Sequence, residues 1–195
     1  MADLKDIISR FKTEGTVAEV TQFGSGLIND TYKVRTAEAE CPDYILQRIN
    51  HNIFRDVDML QSNIEAVTGH IRKKLEAAGE GDIGRKVLNF IPTDSGKTYC
   101  RVGDQWWRMM VFIPNARTYE TVNPKFSYFA GKAFGNFQSM LADLDKPLGE
   151  TIPDFHNMEF RLRQFHDALG ENAAGRAGEV KYYIDEIEKR AEEMC

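Results

Sequence analysis

The sequence predicts an α+β fold: an antiparallel sheet with one long helix, followed by a segment that is helical throughout. Three observations carry this. Short runs before residue 114 alternate apolar and polar residues with period two, and glycine-bearing turns separate them. The stretch 56–78 instead spaces its apolar residues as one helical stripe. From residue 125 onward only the helical period remains, so the pattern changes across 114–124.

Taken in order, residues 3–13 set Leu4, Ile7, Ile8 and Phe11 at helical spacing, ended by Gly15. Residues 16–23, rich in Thr and Val, read as a strand, and 31–35 as a second. Gly24-Ser25-Gly26 between them makes a hairpin. Tyr44-Ile45-Leu46-Gln47-Arg48-Ile49 reads as a third strand. The long helix aligns Leu60, Ile64, Val67, Ile71 and Leu75; Asp56 and Asp58 are candidate N-caps, and Gly79 ends it. Arg72, Lys73 and Lys74 suit the negative end of its dipole. Residues 86–91, 98–102 and 106–113 read as three more strands. The turns at 93–96 and Gly103-Asp104 separate them, and Pro114-Asn115 stops the last. Phe126, Phe129, Ala130, Ala133, Phe134, Phe137 and Leu141 form an apolar helical stripe. Pro147 and Pro153 bound a loop, and 157–169 and 178–194 are amphipathic helices. The expected organisation is a sheet lobe at 1–113, a hinge at 114–124 and a helical segment at 125–195.

Composition narrows the function. The chain has 195 residues, 42% hydrophobic and 28% charged, with a net charge of -5. Its longest basic run is Arg72-Lys73-Lys74, too small a cluster for a nucleic-acid surface, which needs grouped cations. No stretch approaches the roughly 18 apolar residues of a membrane span. The start, Met-Ala-Asp-Leu-Lys, has no apolar core of a secretory signal. The three cysteines, Cys41, Cys100 and Cys195, are far apart, which predicts reduced thiols in the cytoplasm and neither a disulfide frame nor a zinc site.

The order of elements matches a protein-kinase-like amino lobe followed by the first helices of a carboxy lobe. Gly24-Ser25-Gly26-Leu27-Ile28-Asn29-Asp30-Thr31-Tyr32 resembles the short G-x-x-N-x-x-Y nucleotide loop of the aminoglycoside phosphotransferase and choline kinase superfamily. Tyr44 to Asn50, Asn63-Ile64-Glu65-Ala66-Val67-Thr68, Trp107-Arg108 and Phe112-Ile113 resemble its N-acetylhexosamine 1-kinase branch more closely. So do Phe134-Gly135-Asn136-Phe137-Gln138, and Phe155-His156-Asn157 with Arg161. The resemblance runs from about residue 14 to the end.

It implies that Gly24, Ser25, Gly26 and Asn29 belong to a loop whose bare amides approach the phosphates of ATP, where a Cβ would clash. A lone Gly-x-Gly is weak evidence and equally makes an ordinary hairpin turn. Arg48 and Glu65 match the places of the third-strand cation and its helix glutamate, with arginine replacing the usual lysine. Either is also readable as a surface charge; on a helical wheel Glu65 lies off the apolar stripe. Val111, Phe112 and Ile113 match the hinge strand whose backbone grips adenine.

The resemblance also implies a catalytic loop like H-x-D-x-x-x-x-N and a later magnesium-binding aspartate. None of the four histidines begins such a loop: His51, His70, His156 and His166 lead two residues on to Ile53, Arg72, Met158 and Ala168. The carboxylate pairs Asp56/Asp58 and Asp143/Asp145 sit at expected helix ends, where caps belong. The expectation is therefore an amino-terminal fragment of an ATP-dependent small-molecule kinase, inactive alone, with its Mg2+ ligands beyond residue 195. Its substrate would be a small sugar phosphorylated on the anomeric hydroxyl, and its exposed carboxy-lobe helices are candidates for self-association. The alternatives are a non-catalytic nucleotide-binding module, or a related kinase acting on homoserine, choline or an aminoglycoside.

Overall fold

Alternating β-branched and aromatic residues build a five-stranded antiparallel sheet in a computed structural model that describes residues 3–24, 26–119, 121 and 123–195. The strands are β1 (Val17–Gln22), β2 (Asp30–Thr36), β3 (Tyr44–Ile49), β4 (Tyr99–Val102) and β5 (Gln105–Val111), in the order β1-β2-β3-β5-β4. The central β3 pairs with β5 from Tyr44 opposite Val111 to Ile49 opposite Trp106. Gly103-Asp104 forms the β4–β5 turn, and Gly103 takes the positive φ of +62° that such a turn requires.

Strand alternation sorts the side chains onto two faces. Tyr44 and Leu46 of β3, Val34 of β2, and Trp107 and Met109 of β5 share the first face. They pack there with Phe11, Ile91, and Ile7 and Ile8 of α1 (Leu4–Ile8). Ile49 and Trp106 face the other way, where they meet Tyr99 of β4 and Val57 and Leu60 of α2 (Val57–Ala77). Each fully buried aliphatic side chain here contributes about 1.5–3 kcal/mol.

Helix α2 starts at Asp56, whose side chain accepts from the Met59 N–H at 2.8 Å. Asp58 is not the cap: its carboxylate accepts from the Tyr99 hydroxyl and pairs with Lys97 at 3.2 Å. The helix closes on Gly79, at φ +67°, with Gly79 N–H bonded to Glu76 and Glu80 N–H to Leu75, both at 3.0 Å. That is the Schellman arrangement, which favours glycine at the left-handed position. On its outer side α2 holds α4 (Pro124–Leu141) and the loop beyond: Lys74 meets Asp143 at 2.5 Å, His70 meets Asp143 at 3.0 Å, and Asn63 exchanges two hydrogen bonds with the Gly149 backbone. The apolar stripe of α4 stays open, with Tyr128, Phe129, Phe134 and Phe137 exposed.

Contacts divide the chain into residues 1–151 and 152–195. Within the second unit, α5 (Met158–Glu171) and α6 (Lys181–Met194), preceded by a 3-10 turn at Ala177–Val180, are joined by His166 and Glu188 at 2.8 Å.

Two expected elements differ. The strand read at 86–91 is absent: α3 (Ile83–Lys86) takes its start, and only Phe90 bridges β5, at Met110. Pro92 follows directly and has no N–H with which to continue a ladder. The first helix stops at Ile8 rather than near 13, because Phe11 bridges Thr93 and Lys12 donates to the Pro92 carbonyl. Among the described residues, no helix is long and apolar enough to cross a membrane.

Candidate functional site

Helix α2 packs on the second face of the sheet against Ile49, Trp106 and Tyr99, and the candidate site lies on the same face where the loop root approaches the end of β5. Beyond β1 the Phe23 N–H still bonds the Thr31 carbonyl, at 2.9 Å, so its ring stays on that face. The ring meets Phe112 edge-on, with centroids 5.7 Å apart. Lys33 of β2 lies 4.1 Å over the Phe112 ring and 3.0 Å from Asp43. Ile45 and Met110, cross-strand partners, form the floor beside them. The root of the glycine loop and the end of β5 therefore meet on one apolar surface bordered by a cation.

The expected loop residues flank that surface. Gly24 has φ +77°, a conformation that a side chain would strain, and Ser25 lies outside the described residues. Among the described residues, a Cβ added at Gly26 would meet only the Asn29 carbonyl, at 3.7 Å, and Leu27 is fully exposed. Asn29 is occupied structurally: its side-chain oxygen accepts from the Asn50 N–H at 2.9 Å and ties the loop to the end of β3. Behind the loop, Leu27, Ile28, Arg48 and Asn50 line a cavity of ≈ 520 Å³. Val111, Phe112 and Ile113 line a separate cleft of ≈ 700 Å³ with Lys33, Asp43 and Arg85. Two hinge amides are committed to the protein: Val111 N–H bonds Asn89 at 2.9 Å and Phe112 N–H bonds Asp43 at 2.8 Å.

Arg48 and Glu65 are not brought together. Arg48 shares the α1 face with Tyr44 and Leu46, and its guanidinium binds its cross-strand partner Asp30, with Nε at 2.6 Å. Glu65 is exposed on α2 and accepts the Thr98 hydroxyl at 2.6 Å. The polar β3 side chain that does face α2, beside Ile49, is Gln47. Opposite it on β5 stands Arg108, which reading the sequence for a third-strand cation had passed over.

Arg108 Nε and Nη2 donate to the Gln47 side-chain oxygen at 3.0 and 2.9 Å, and Nη1 donates to that of Gln61 at 3.1 Å. Gln61 is 1% exposed, and its amide continues to Thr98 Oγ1 at 3.0 Å. Gln47 in turn donates to Thr31 Oγ1 at 3.0 Å. A polar string thus runs from Thr31, beside the loop root, under α2 to Glu65. Burial alone pulls the Arg108 pKa down to about 10, so the guanidinium remains charged at neutral pH. The sequence signal was present in strand alternation: counting from Tyr44 places Gln47, and not Arg48, under the helix.

The surface sets an apolar patch, Phe23 with Phe112, beside the glycine loop and on the same sheet face as the Arg108 guanidinium. It does not suit a metal by itself: among the described residues, no three His, Cys, Asp or Glu side chains group to hold an ion. No family model matches the chain. Among solved structures it is similar to spectinomycin phosphotransferase APH(9)-Ia, determined with ADP and spectinomycin, at 12% sequence identity and a TM-score of 0.48. The match covers 92% of this chain and 52% of that protein, so the chain spans about half the length of the protein it matches.

Proposed function

We propose that the chain forms the nucleotide-binding lobe of an ATP-dependent phosphotransferase of the aminoglycoside phosphotransferase and choline kinase superfamily, working in the cytoplasm on a small-molecule hydroxyl. The observation that carries this is the meeting of Phe23, at the root of the glycine loop, with Phe112, at the end of β5, on one sheet face. A base packs against the exposed side of these rings, on the sheet face that Ile45 and Met110 share. With Val111 and Phe112 N–H already bonded to the protein, Ile113 supplies the hinge amide that reaches a base edge. The loop from Gly24 lies over the phosphates, where backbone N–H groups approach anionic oxygens closely.

ATP supplies the phosphoryl group when bound, and the residues described here bind and orient it. The sequence contains no H-x-D-x-x-x-x-N loop, so no acid–base step is assigned to these residues. The finer proposal, an N-acetylhexosamine phosphorylated at its anomeric hydroxyl, rests on the sequence motifs at 44–50 and 155–157.

The test is a titration of the chain with ADP and with adenosine, followed by Trp106 and Trp107 fluorescence. Saturable ADP binding with a Kd below about 1 mM, some 4 kcal/mol, is expected. A flat response to both ligands, confirmed calorimetrically on folded protein, would overturn the proposal.

A further inference from the structure

Arg108 stands apart from the cations around it. Lys33, Arg48, Lys74 and Lys97 each lie against a carboxylate. Arg108 is partly buried between helix and sheet and, among the described residues, its guanidinium meets no carboxylate: it donates to the amide oxygens of Gln47 and Gln61 and lies over the Phe90 ring. A guanidinium withdrawn from water without a counter-charge is costly, and buried charges are normally paired. The two glutamines do not neutralise it, but they do fix its plane. Three of its five N–H groups are spent on them, which leaves one on each terminal nitrogen without a protein acceptor among the described residues. Two N–H groups left on the terminal nitrogens of one fixed guanidinium are donors that a phosphate or carboxylate can take together.

Position selects between those anions. From the loop root the path runs from Thr31 on β2 to Gln47 on β3 to Arg108 on β5, two strand spacings or about 10 Å. That is the scale on which a polyphosphate tail extends from a base seated at Phe23 and Phe112. The burial that lowers the Arg108 pKa is offset when an anion arrives, so binding recovers energy that the empty fold forgoes.

We propose that Arg108 is the phosphate-binding cation of this lobe, standing where a third-strand cation is expected, with Gln47 and Gln61 as its positioning residues. This rests on the nucleotide-binding reading above and deepens it.

The experiment measures ADP and adenosine affinities for the native chain, Arg108→Gln and Arg108→Lys. Arg108→Gln is expected to weaken ADP by about tenfold or more while leaving adenosine within about twofold, and Arg108→Lys to fall between. A purely structural role would move both ligands together. Arg108→Gln binding ADP as the native chain does overturns the proposal, and native adenosine binding then leaves the nucleotide reading standing. Native protein that binds neither ligand overturns both. Should Arg108→Gln fail to fold, the Arg108 Nε–H resonance of labelled native chain decides: it must shift with ADP and not with adenosine, and an unmoved signal overturns the proposal.

Discussion

Converting Gln61 to glutamate tests whether the guanidinium beneath α2 is held open for an incoming anion. The change is isosteric. The Gln61 oxygen lies 3.1 Å from Arg108 Nη1 and its amide donates to Thr98 at 3.0 Å. A carboxylate oxygen in that place attracts the guanidinium by about 5 kcal/mol at an effective dielectric of ~20. Removing the carboxylate from water costs several kcal/mol, and the lost donor to Thr98 costs about 1 kcal/mol more. These terms nearly cancel, so stability should change by no more than about 2 kcal/mol in either direction. Binding should not be spared, because Arg108 would already hold an anion. Losing one charge-assisted contact of about 1.5–3 kcal/mol weakens ADP roughly 10- to 100-fold. Gln61→Leu is the contrast: it strands an Arg108 N–H and a Thr98 lone pair, for a loss of about 2–4 kcal/mol of stability. Urea unfolding by tryptophan fluorescence reads the first quantity and ADP titration the second. A Gln61→Glu protein that is stable and binds ADP at native strength refutes the reasoning.

Two further outcomes concern the contacts that hold α2 in place. Gly149→Ala puts a Cβ 2.6 Å from Met59 Cγ, and closer still to its sulfur, where Asn63 clamps the loop backbone. A loss of about 1–3 kcal/mol is expected by thermal melting, and an unchanged melting temperature would show that the clamp yields. Asp143 is held down to about pKa 2, first by the Lys74 ammonium and then by His70. Since the folded value is depressed, its contribution is complete above the unfolded carboxylate range near ~4 and is lost as pH falls through about 2. Asp143→Asn should flatten the acid limb of a urea-midpoint profile in that window, and an unaltered limb would contradict the assignment.

The sheet and the long helix were legible in the sequence because single residues mark them. Alternation from Tyr44 to Ile49 gives β3 without adjustment, and Asp56 and Gly79 bracket α2 by a cap and a left-handed turn. The stretch 86–91 was misleading because Val87, Leu88, Phe90 and Ile91 are as apolar as a strand. What decides its pairing is the following Pro92 together with the competing claim of β4 on the same edge of β5. A local pattern registers hydrophobicity, whereas a ladder also needs consecutive donors and a free edge.

The cation was hidden for a different reason. Choosing Arg48 as the positive side chain of β3 follows residue type, while the sheet distributes side chains by parity. Arg48 falls on the face of Tyr44 and Leu46 and is neutralised there by Asp30. The position under α2 belongs to Gln47, and its charge comes from 61 residues away, across the β3–β5 ladder. Opposed residues on antiparallel strands have Cβ atoms about 5 Å apart, less than the reach of an arginine. A neighbouring strand can therefore deliver a guanidinium to the α2-facing side of β3, where β3 itself places an uncharged glutamine. One sequence cannot reveal that placement, because it is written in the register between two strands and not in either strand.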